Sequence, residues 1–109
     1  MGSPACFDGG MSTPAWMQKT LDLRSKFWFR VHGDEFMMNG LPDFAVVGPG
    51  GIFMGLELKL GADRVTPLQL WRLEQIRAAG GVGKVIRTEE DLLDAFERAT
   101  TLARARLPS

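Results

Sequence analysis

Residues 48–51, "GPGG", stand between two apolar runs, "DFAVV" and "IFMGLELKL". A Gly/Pro turn at that place folds the two runs back on each other as a β-hairpin. Residues paired across a hairpin have a nearly constant sum, here about 99 to 100, because register follows from the turn. Asp43 therefore falls opposite Leu56 or Glu57. Alternation puts Lys59 on the face of Glu57 and leaves Leu56, Leu58 and Leu60 on the other.

Like charges opposed across two strands are destabilising unless something positive lies between them. A hard cation such as magnesium or manganese does this well, since it prefers carboxylate oxygens and keeps positions open for phosphate and water. Lys59 then stands where it can orient or help deprotonate an attacking water, or neutralise charge on phosphorus. The chemistry pointed to is phosphodiester hydrolysis. The plainer alternative makes Asp43, which follows Pro42, a turn residue, and Glu57 and Lys59 a charge pair on a solvated strand edge.

The rest of the chain limits the setting. With 109 residues there is one core, and Lys plus Arg balance Asp plus Glu at 13 each. A neutral chain does not advertise a nucleic-acid or membrane partner by bulk charge, so the placement of charge matters. Basic residues gather at Arg24, Lys26 and Arg30, at Lys84 and Arg87, and at Arg98, Arg104 and Arg106. The one cysteine, Cys6, has no partner for an internal disulfide, and no Cys/His cluster has zinc spacing. A reducing cytoplasm is expected, the host's if the chain is phage-encoded. No apolar run approaches the roughly 18 residues of a membrane span, and no signal-peptide pattern opens the chain.

Residues 1–12 are small, Gly-rich and aperiodic and are read as a flexible lead to a single domain over 13–109. Thr13 and Pro14 read as a cap and first turn of a helix to about Lys26, with Trp16, Leu21 and Leu23 as core contacts. "KFWFRVH" alternates Phe27, Phe29 and Val31 against Trp28, Arg30 and His32, a strand period. "GDEFMMNG" is a loop, in which Met37 and Met38 pack. In "TPLQLWRLEQIRAAGG", Thr66 is an N-cap, Pro67 the first helical residue, Gln69 the partner in a capping box, and Gly80 and Gly81 the stop. "VGKVIR" is a strand, and Thr88 caps a last helix with Leu92, Phe96, Ala99 and Ala103 on one face. The fold class is α/β, in the order α-β-β-β-α-β-α.

"GLPDFAVV", "GLELK", "TPLQLWRLEQIRAAGG" and "VGKVIR" leading into "TEEDLLDAF" together resemble the PD-(D/E)xK nucleases, and within them the small VRR-NUC domains of phages and repair enzymes. The likeness runs from about Phe27 to Phe96. It implies a restriction-endonuclease-like core with a central mixed sheet, and Mg2+- or Mn2+-dependent endonucleolytic cleavage of DNA. It implies metal ligation by Asp43, Glu57 and the backbone carbonyl of Leu58, Lys59 as catalytic lysine, and Gln69 directed at the active site. Stand-alone domains of this kind look like homodimers acting on branched DNA, Holliday junctions and flaps among them. Arg30, His32 and Arg64 are candidates for the DNA backbone. The alternatives are a structural His32, a solvated Arg64, and a Gln69 that serves only its helix cap. Trp28 and Trp71 read as core or dimer-interface aromatics.

One departure stands out. Such domains carry a metal-binding glutamate on the first helix, and "TPAWMQKTLDLRSK" has none. Gln18, Asp22, Glu35 and Asp8 are the nearest substitutes. Either fewer protein ligands and more waters hold the metal, or the chain is a silent copy kept for DNA binding or assembly.

Overall fold

The computed structural model describes residues 13–32 and 38–107. It has four strands and three α-helices: α1 (Ala15–Arg24), β1 (Phe27–Arg30), β2 (Phe44–Val47), β3 (Phe53–Leu58), α2 (Pro67–Ala78), β4 (Val82–Ile86) and α3 (Glu89–Ala105). The α/β class and the element order agree with the sequence. The expected lead, with Cys6 and Asp8, and the loop residues Glu35 and Met37 lie outside the described residues.

The strands form one sheet in the order β1-β2-β3-β4. β2 and β3 pair antiparallel with Phe44 opposite Leu56 and Val47 opposite Phe53. The turn between them is a short 3-10 segment, Pro49–Gly51, in which Gly50 and Gly51 take φ of 67° and 80°. Side chains with a Cβ rarely adopt that conformation, so the glycines permit the tight reversal that fixes the register. β1 adds antiparallel to β2, and β4 adds parallel to β3 through the α2 crossover. The sheet is therefore mixed.

Alternation sorts side chains to two faces. One face carries Trp28, Phe44, Val46, Met54, Leu56 and Leu58 and is covered by Met17 and Leu21 of α1 and by Leu92, Ala95, Phe96 and Ala99 of α3. This is the main core. The other face is covered by α2 over β3 and β4 only, where Leu73 is buried and Ile76 lies over Gly55. Beside α2 the face stays open, with Phe27, Phe29, Val47 and Phe53 all exposed.

Local capping explains the helix limits. Thr66 and Gln69 form the expected reciprocal box at α2, and Thr88 forms another with Asp91 at α3. At α1 the expectation differs from the outcome. Pro14 is the N-cap, the Thr13 hydroxyl accepts instead from Arg30 Nη1 at 3.2 Å, and the helix ends at Arg24 rather than Lys26. Leu23 is 77 % exposed, because the buried stripe of α1 runs through Met17, Thr20 and Leu21.

Gly83 of β4 sets how closely α2 approaches the sheet, since a Cβ there would collide with the carbonyl oxygen of Leu73. Backbone cannot yield as a side-chain tip can. Gly83→Ala should therefore destabilise the fold by about 1–3 kcal/mol. Urea unfolding read by tryptophan fluorescence measures it, and an unchanged midpoint would contradict this packing.

Candidate active site

Asp43 lies one residue before β2, and the register places it opposite Glu57, one step beyond the Phe44–Leu56 pair. Two hydrogen bonds fix its backbone and side chain. The Asp43 carbonyl accepts from the Val31 N–H at 2.7 Å, and Asp43 Oδ2 accepts from the Leu58 N–H at 2.8 Å. In extended backbone a residue's N–H and C=O leave on the same edge, so the Leu58 carbonyl is directed to the Asp43 side as well.

Glu57 is only 2 % exposed, which removes the reading of a solvated strand edge. Its Oε2 accepts from Gln69 Nε2 at 3.0 Å and lies 3.4 Å from Lys59 Nζ. Its Oε1 is buried with no hydrogen-bond partner among the described residues. Burial pushes the Glu57 carboxyl up to about 7, the Asp43 charge adds to the rise, and Lys59 opposes it. A buried oxygen with unused lone pairs, next to a second carboxylate, is stabilised by positive charge placed beside it.

Gln69 makes two contacts at once. Its Oε1 accepts from the Thr66 N–H at 2.9 Å, closing the capping box, while its Nε2 holds Glu57. A side-chain amide has an acceptor and a donor end, and the start of α2 aims one each way.

The other nominated residues scatter. Arg30 is buried on the opposite face of the sheet, its guanidinium 4.9 Å from the centre of the Phe44 ring. Burial there leaves its guanidinium little surface to offer a DNA backbone. His32 and Arg64 are exposed outside the strands and helices. Trp28 is a core residue whose Nε1 donates to Asp22 Oδ1 at 2.9 Å, so Asp22 serves the α1 side. Trp71 is 53 % exposed and is not a core aromatic; it stacks with the Arg72 guanidinium at 4.8 Å. Among the described residues no third acid, histidine or cysteine joins Asp43 and Glu57 as a metal-binding group. Nor is any described helix long and apolar enough to cross a membrane.

Comparison with known proteins returns no matching family model, no matching curated protein and no matching solved structure.

The pair fits a hard divalent cation on the chemistry of its donors. Asp43, Glu57 through the orphaned Oε1, and the Leu58 carbonyl would supply oxygens from two adjacent strands.

The raised Glu57 carboxyl makes stability depend on pH. Unfolded, it ionises near 4.5; folded, near 7, so the native state holds the extra proton between those values. Its contribution is intact below the lower value and falls as pH rises towards the upper, by about 3 kcal/mol at most. Glu57→Gln should therefore gain stability relative to wild type between pH 4.5 and 8. Parallel unfolding curves for the two proteins across that range would refute the assignment. Gln69→Glu keeps an acceptor for the Thr66 N–H but sets a carboxylate against Glu57. The fall of its stability with rising pH should extend to still higher pH, with helix content by circular dichroism unchanged.

Proposed function

We propose that the protein is a divalent-metal-dependent DNA endonuclease with a PD-(D/E)xK, VRR-NUC-like site on a restriction-endonuclease-like core. The observation that carries this reading is the convergence on one buried oxygen pair: Asp43 opposite Glu57, Lys59 and Gln69 on Glu57 Oε2, and Oε1 left over. A structural salt bridge would need Lys59 and Glu57 alone. It gives no reason to bring a second carboxylate up to a buried first.

A magnesium or manganese ion held by Asp43, Glu57 and the Leu58 carbonyl would supply an activated water and screen the charge of the scissile phosphate. The chain's own groups do the remainder. The Leu58 N–H holds Asp43 Oδ2, and Gln69 holds Glu57 by Oε2 and leaves Oε1 without a partner among the described residues. Lys59, half-withdrawn from solvent at 15 % exposure, places an ammonium donor where it can orient the attacking water or meet a non-bridging phosphate oxygen. Branched DNA as substrate and a homodimeric state belong to this reading. A second copy has an apolar surface to use, the open face of Phe27, Phe29, Val47 and Phe53.

A second reading, a nuclease-fold module that binds DNA or assembles a complex without turnover, draws on the missing third acid among the described residues.

Cleavage of labelled four-way, flap and linear duplex DNA in Mg2+ or Mn2+ tests the two. Wild type should cut, while Asp43→Ala and Lys59→Ala should lose on the order of 10²-fold or more and still bind. Mg2+ should raise the melting temperature of wild type at pH 8 and not that of Asp43→Ala. Undiminished cleavage by Asp43→Ala would sink the assignment, and a wild type that binds but cuts in neither metal would leave the second reading.

A further inference from the structure

Two of the basic clusters in the sequence come together at the β4 edge of the sheet, on the far side from β1. There Arg77 at the end of α2, Lys84 in β4 and Arg98 in α3 line a cleft of about 390 Å³. Asp94 is the one acid among its described lining residues, an excess of cations in a chain whose net charge is zero. Arg77 is held in place, its Nε donating to the Gly83 carbonyl at 2.7 Å and its Nη1 3.4 Å from Glu74. Lys84 and Arg98 form no ion pair with any described carboxylate.

By register this cleft shares the sheet edge with the carboxylate pair's end, Lys84 lying on the face of Leu56 and Glu57 on the other. In the parallel β3–β4 ladder Lys84 is level with Leu56, Ile86 is level with Leu58, and the Lys59 N–H donates to the Ile86 carbonyl at 3.0 Å. Arg87 follows at once, exposed, at the level of the site. Three residues of strand separate Lys84 from Arg87, about 10 Å. Cations thus run along the sheet edge from the cleft to the end where Glu57 and Lys59 sit. A lone edge lysine is explained by the need to discourage pairing with another chain. That need does not call for arginines from the helices on both sides.

We propose that the β4 edge is the track on which the DNA backbone lies, with Arg77, Lys84 and Arg98 holding phosphates away from the one presented to Glu57 and Lys59. The proposal rests on the endonuclease reading for the identity of the polyanion. It moves the expected backbone contact from β1, where Arg30 is buried, to the opposite edge of the sheet.

The test compares wild type with Lys84→Glu/Arg98→Glu and the milder Lys84→Gln/Arg98→Gln by fluorescence anisotropy on a labelled linear duplex and a four-way junction. Titrations are run without divalent metal over a series of salt concentrations, with the Mg2+-induced melting shift measured in parallel. Removing two phosphate contacts should weaken binding at least about tenfold and lower the log–log salt slope by about two. The Mg2+ shift should be unchanged in both variants, which also reports that they are folded. Equal affinity and slope in wild type and variants would overturn the track even if the metal shift and cleavage are found. So would a wild type that binds neither DNA. Loss of salt-dependent binding in the variants, with no Mg2+ shift in any protein, would uphold the track and discard the metal site.

Discussion

A carboxylate removed from water beside another carboxylate is the constraint around which the rest of this molecule is arranged. Glu57 is held there by three things that arrive from different directions: the hairpin, which brings Asp43; the strand itself, which brings Lys59; and the first turn of α2, which brings Gln69. Burial comes from α2 lying across β3 and β4, and that closeness needs Gly83 to have no side chain. The energetic cost of an ionised Glu57 is thus imposed by packing, and the same packing keeps its partners in place.

Much of this was legible in the sequence because it is local. The GPGG turn fixed a pairing sum that the Phe44–Leu56 bridge satisfies, and Thr66, Pro67 and Gln69 announced the start of α2 to the residue. What escaped depends on which face of a strand meets a helix. Period-two alternation shows that Trp28 and Arg30 oppose Phe27 and Phe29, but not which pair is buried. The structure buries the first pair, since Trp28 finds Asp22 for its N–H and Arg30 finds Thr13 and the Phe44 ring. In the same way, Leu23 looks like a core residue until the direction of α1 turns it to solvent. The parallel β3–β4 register and the burial of Glu57 are products of long-range packing and have no short-range signature.

The sheet has two unlike margins. Beside β1 the open face is aromatic, with Phe27 and Phe29 in an edge-to-face contact, ring centres 6.0 Å apart. Beside β4 it is cationic. An apolar margin suits another protein surface, and a cationic one suits a polyanion. The carboxylate pair lies between them, on the end of the two central strands.

Gln69 has a consequence that reaches beyond the pair it serves. Because one amide group closes the first turn of α2 with its oxygen and restrains Glu57 with its nitrogen, the order of that turn and the occupancy of the carboxylates share a common equilibrium. Whatever draws Glu57 away from Gln69 frees the amide to rotate, and the Thr66 N–H loses its acceptor with it. Backbone protons at the head of α2 thereby become a gauge of events at the carboxylates, readable by their exchange with solvent without any probe attached to the site.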